Sequence, residues 1–156
     1  MKGADVVAEI LKREGVKTLP CYPRNGIIEA AAAIGIRPIV TRQERVAVHM
    51  ADAFSRLSSG REIGVFAMQQ GPGTENAYGG IAQAWAESVP MVVIPAGFNR
   101  RMQDIPPNYN PIRSMRDISK WAESAKSAAE IPAAMRRAFT QARNGRPRPA
   151  DRQSTR

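Results

Sequence analysis

Chemistry in this chain would start at Glu44. It ends the stretch Thr41-Arg42-Gln43-Glu44, between the β-branched run Ile36-Arg37-Pro38-Ile39-Val40 and a segment of helical spacing that runs to Leu57. A strand that hands over to a helix at the carboxyl edge of a parallel sheet points its residues into the crevice where ligands bind. Glu44 is the one acid in that handover, and two roles are open to it. It can complement the positive end of the helix dipole, worth about 0.3 to 1 kcal/mol. Buried among apolar neighbours, it can instead keep a proton near neutrality and serve as a general acid or base.

A second stretch with chemical potential is Gln69-Gln70-Gly71-Pro72-Gly73-Thr74-Glu75-Asn76. It is neither a dinucleotide fingerprint, since Asn76 stands where the last glycine belongs, nor a phosphate loop, since no Gly-Lys-Ser/Thr follows. A glycine-rich strand-to-helix turn still lets backbone approach a planar ligand closely, and a plain tight turn needs the same residues. The third stretch is Pro23-Arg24-Asn25-Gly26, a turn cluster. Cys21 and His49 are the sole cysteine and histidine, so the sequence holds no disulfide and no cysteine–histidine metal cluster. Cys21 reads as a small buried hydrophobe. His49 and Met50 read as helix packing residues, and Arg100 with Arg101 as a solvated pair able to steer an anion.

These residues need a scaffold. Residues 3–14 read as an amphipathic helix with Val6, Val7, Ile10 and Leu11 inward and Gly15 as its cap. Strands are expected at 16–22, 36–40, 63–68 and 90–96, and helices at 27–34, after Gln43 to Leu57 with Val46, Met50, Ala53, Phe54 and Leu57 on the inner face, and to about Glu87, capped by Thr74 or Asn76. Gly79 and Gly80 inside that last helix each cost about 1 kcal/mol against alanine, so a close backbone contact is expected there. Residues 97–114 read as a surface loop and 118–122 as a short fifth strand or turn. Ile131 to Arg143 reads as a helix opened by Pro132, and 146–156 as a polar, disordered tail. Alternating strands and helices predict a three-layer α/β/α sandwich with a mainly parallel sheet, in one domain over residues 1–145.

Composition narrows the partners. The net charge of +9 sits in the last third: residues 1–99 hold ten basic and nine acidic side chains, residues 100–156 thirteen and five. That third has scattered aromatics and no helix-turn-helix or zinc spacing, so specific nucleic-acid reading is not expected. No apolar run reaches the roughly 18 residues a membrane span needs, and the start lacks a signal-peptide core, so a cytoplasmic protein is expected.

Several motifs, taken in order, carry a resemblance. These are Gly-Val-Lys-Thr-Leu-Pro-Cys-Tyr-Pro at 15–23, Arg-Gln-Glu with Met-Ala-Asp-Ala-Phe-Ser-Arg within 42–56, Gly-Pro-Gly-Thr-Glu-Asn at 71–76, Ala-Trp-Ala-Glu-Ser-Val-Pro at 84–90 and Ile-Ser-Lys-Trp at 118–121. Residues 3–145 thereby resemble the pyrimidine-binding domain of thiamine-diphosphate enzymes, most closely the acetolactate synthase-like group. The resemblance implies that Glu44 is the carboxylate that hydrogen-bonds N1′ of the cofactor pyrimidine and promotes its imino tautomer. It implies that Pro23, Gly26, Gln70, Gly71, Gly73 and Asn76 line the same crevice. It also implies a 2-oxo acid substrate, oligomerisation, and a separate diphosphate-binding domain or subunit that holds magnesium, because no Gly-Asp-Gly occurs in this chain. A non-catalytic, self-associating module is the alternative. Two departures stand out: Pro-Cys-Tyr-Pro replaces a glycine-containing turn, and Gly145-Arg146-Pro147 leads into polar residues where the family has a hydrophobic strand.

Overall fold

The computed structural model describes residues 2–99, 101–102 and 105–154, the last three by backbone alone. Arg100 and the chain end at 155–156 lie outside the described residues. In chain order the elements are α1 (Gly3–Arg13), β1 (Thr18–Cys21), α2 (Gly26–Ala33), β2 (Arg37–Val40), α3 (Glu44–Leu57), β3 (Gly64–Met68), α4 (Pro72–Ala86), β4 (Met91–Pro95), α5 (Pro111–Met115), β5 (Trp121–Ala125), α6 (Ile131–Arg143) and β6 (Pro149–Ser154). The six strands form one sheet in the order β2-β1-β3-β4-β6-β5. Every pairing is parallel.

Helices cover both faces. β3 and β4 are buried throughout, and their side chains alternate between two cores. Val65, Ala67, Val92 and Ile94 meet α1, α2 and α6 on one face. Phe66, Met68, Met91 and Val93 meet α3 and α4 on the other. Continuous apolar strands are what a doubly covered parallel sheet requires, and each large side chain fully removed from water contributes about 1.5–3 kcal/mol. Gly15 and Gly35, with φ of 83° and 87°, end α1 and α2 in the left-handed conformation expected of a C-terminal glycine.

Several expectations are corrected, among them the surface loop at 97–114, whose end is taken up by α5. Residues 149–154 are not a disordered tail: they form β6, inserted between β4 and β5, with Ala150 and Asp151 fully buried. Backbone pairing with two neighbours overrides the polar composition there. The inner face of α3 is made instead of Glu44, Ala47, Val48, Ala51, Asp52 and Ser55. Small side chains let α3 approach the sheet, so Val46 is left 49% and Leu57 84% exposed. His49 is exposed as well. Finally, α4 begins earlier than expected. Its N-cap is Gly71, at φ 62°, followed by Pro72, whose fixed φ suits a first helical position. Thr74 and Asn76 therefore lie within the first turns of α4 instead of capping it. Of the two mid-helix glycines, Gly80 has the expected close neighbour: a Cβ there would lie 2.4 Å from Val48 Cγ1, whereas one at Gly79 would meet nothing within 4 Å.

Candidate functional site

The chain leaves β1 outward to β2, then returns across β1 to β3, so the topological switch lies between β1 and β3, where only Cys21 and Ala67 are in register. The two helices that start beside this switch, α3 and α4, bring Glu44 and the Gly71–Asn76 turn together. Glu44 opens α3 and is only 3% exposed. The Asn76 side-chain amide donates to Glu44 Oε2 at 3.1 Å. The other oxygen, Oε1, is buried without a hydrogen-bond partner. A Cβ on Gly73 would stand 3.2 Å from that oxygen and 2.7 Å from Gln69 Cγ. Glycine thus leaves the open side of the carboxyl clear, and any other residue would crowd it.

An orphaned buried carboxyl oxygen is costly, about 1–3 kcal/mol when a group loses its water without gaining a partner. Such a group beside a backbone cradle fits a ligand that presents a ring nitrogen or another polar atom to Oε1. The positive ends of α3 and α4 also favour negative charge at this point.

The remaining expected residues divide. Gly71 shapes the turn and lies under Phe98, whose Cζ would be 3.9 Å from a Cβ there. Gln70 is half-buried in the same turn. Pro23 and Gly26 line an adjoining cleft with Arg24, Asn25, Ile28, Glu29 and Val40. Like Glu44, they follow the carboxyl ends of strands.

The motifs do not single out Asn25, whose bonds hold the start of α2 at this edge. It is 7% exposed, and its amide donates to Met68 O at 3.0 Å and Ile94 O at 3.1 Å while its Oδ1 accepts from Ile27 N at 3.1 Å. One side chain therefore caps α2 and ties its start to the carboxyl ends of β3 and β4. The signal was present: asparagine directly before a helix is a preferred N-cap. Of the two arginines expected to steer an anion, Arg101 is exposed.

An open parallel sheet with helices on both faces and a buried acid at its switch point defines a ligand-binding α/β domain. The family described as "Thiamine pyrophosphate enzyme, N-terminal TPP binding domain" matches residues 1–121, and the chain belongs to it. It is 35% identical over 155 residues to the acetolactate synthase large subunit of Haemophilus influenzae, covering 96% of this chain and 27% of that protein. It is 32% identical to the acetolactate synthase isozyme 3 large subunit of Escherichia coli, over the same shares. With the chloroplastic acetolactate synthase of Arabidopsis thaliana the identity is 34%, over 95% of this chain and 23% of the plant protein. The chain thus spans about a quarter of the length of the curated relatives it matches. Among the described residues no helix is long and apolar enough to cross a membrane.

Proposed function

We propose that this chain is the pyrimidine-binding half of a thiamine-diphosphate-dependent, acetolactate synthase-like or 2-oxo acid decarboxylase-like enzyme, cytoplasmic, and active only with a separate diphosphate-binding domain. The observation that carries this reading is Glu44 Oε1: buried, unpartnered and facing the gap that Gly73 keeps open. Glu44 would meet the pyrimidine nitrogen at Oε1. Asn76 fixes the carboxyl's rotation through Oε2, and the turn from Gln70 to Gly73 forms the wall of the crevice, with Pro23 and Gly26 at its rim. When bound, thiamine diphosphate supplies the carbon nucleophile for making or breaking the bond next to the carbonyl of a 2-oxo acid. The absence of a Gly-Asp-Gly stretch from the 156 residues supports assigning magnesium and the diphosphate to the partner domain.

A second reading, a self-associating module without cofactor, draws on the outward apolar residues of α3 and α4, with Val46 49%, Leu57 84% and Tyr78 39% exposed. Exposed apolar side chains of this kind suit association of subunits in either reading. Isothermal titration of thiamine diphosphate and magnesium separates the two. Binding that requires an added acetolactate synthase-type diphosphate-binding domain supports the first, and no binding with or without that domain supports the second.

A further inference from the structure

Beside the Glu44 crevice, the ends of β1, β2 and β3 enclose an open cleft of about 560 Å³ whose lining includes Tyr22, Arg24, Thr41, Arg42 and Gln69 and no acidic residue. Both arginines are exposed. Among the described residues neither forms a salt bridge. The backbone that carries them is pinned on either side. Tyr22 N donates to Ala67 O at 3.0 Å, Thr41 N to Cys21 O at 3.0 Å, and Thr41 Oγ1 to Gln43 O at 2.7 Å. Asn25, tied to β3 and β4, holds the far end of the Arg24 turn.

Arg24 and Arg42 line one cleft whose lining holds no acid, with Glu29 in the adjoining cleft beside Arg24, so an anion seated in it would be attracted by both guanidiniums. Their planar donor forks match the oxygens of a carboxylate or phosphate, which they grip with two parallel hydrogen bonds each. We infer that this cleft is an oxyanion subsite, taking the carboxylate or phosphate end of a small molecule through Arg24 and Arg42. Gln69 links it to the crevice: it lines the cleft, and its Cγ packs where a Gly73 Cβ would be. The ligand's other end can therefore extend toward Glu44. The inference requires no thiamine diphosphate and stands apart from the reading above.

The test uses the full chain at constant ionic strength, with the arginine Nε–Hε resonances followed by NMR during titration with inorganic phosphate, acetate or, as control, chloride. Saturable shifts of Arg24 and Arg42 are expected with phosphate or acetate, and the anion that saturates them identifies the ligand's charged end. Arg24→Gln and Arg42→Gln should each weaken that binding about tenfold. Arg113→Gln, at an exposed position of α5, should leave it unchanged. Both cleft variants should melt as the wild type does, because the replaced side chains are exposed and unpaired. Shifts that never saturate, that chloride reproduces, or that survive both substitutions overturn the inference.

Discussion

The amide of Asn76 reaches across from α4 to Glu44 Oε2 on α3, 3.1 Å away and 32 residues earlier in the chain. That bond spans the two helix starts beside the sheet's switch point and leaves Oε1 as the only unused oxygen of the pair. Asn76 is exposed on its outer side, so its electrostatics are partly screened. Replacing it by aspartate sets two carboxylates against each other. Asn76→Asp should lower stability by about 1 kcal/mol at neutral pH in low salt, with the loss shrinking in about 1 M salt. Urea unfolding midpoints at the two salt concentrations check this. A salt-independent loss would mean that the two side chains do not meet.

Neighbouring glycines in α4 should respond in opposite directions. A Cβ on Gly80 would stand 2.4 Å from Val48 Cγ1, while Gly79 faces open space. Gly80→Ala should destabilise by about 1–3 kcal/mol through overpacking of α3 against α4. Gly79→Ala should stabilise by up to about 1 kcal/mol, the ordinary helix preference for alanine. Thermal melts of the two single variants give the comparison.

Burial pushes the Cys21 thiol up from its ordinary 9.0 to about 11, with a backbone hydrogen bond from Ile39 drawing it part of the way back. The folded protein therefore favours the neutral thiol more than the unfolded chain does. This contribution is complete below about pH 8.5 and is lost as pH rises through 9 toward 11. The stability advantage of wild type over Cys21→Ala should shrink by about 2 kcal/mol across that interval. Thiol reagents at pH 8 should label Cys21 only once denaturant is present.

A chain ended at Arg146 should not fold. β6 is the sole partner of β5 and one of the two neighbours of β4, so its removal exposes the edge of β4 and strands β5. Loss of cooperative unfolding by circular dichroism is expected. A truncated chain with wild-type melting would contradict the register Val92↔Ala150 and Trp121↔Ala150.

The same strand marks where sequence reading stops. α6 was legible at both ends, because Pro132 fits a first helical turn and Met135, Ala138, Phe139 and Ala142 repeat at helical spacing. β6, Pro-Ala-Asp-Arg-Gln-Ser, has no apolar alternation; it is a strand because two neighbours supply its backbone hydrogen bonds. The buried face of α3 departs from its hydropathy pattern for a related reason. Hydropathy favours Val46, Met50 and Leu57, but close approach to the sheet selects Ala47, Ala51 and Ser55. A Cβ on Gly64 would lie 1.9 Å from the carbonyl oxygen of Ala51, which shows how near the two elements run. Ser55 is fixed there by bonds no hydropathy pattern carries: its Oγ donates to Pro90 O at 2.5 Å and accepts from Gly64 N at 2.7 Å. Motif order places Glu44 and the Gly71–Asn76 turn at one crevice, and Gly73 does lie beside Glu44, whereas the reach of Asn76 to Glu44 depends on where α4 begins, which Gly71 and Pro72 set.

The account turns on the open side of Glu44. The direct measurement is isothermal titration of thiamine diphosphate with magnesium into the chain assembled with an acetolactate synthase-type diphosphate-binding domain, comparing wild type with Glu44→Leu. Leucine fills much the same space but offers a ring nitrogen neither donor nor acceptor, so affinity should fall at least about tenfold while the variant still unfolds cooperatively. Equal affinities for the two proteins would contradict the account, because they would mean that the carboxyl does not face the ligand.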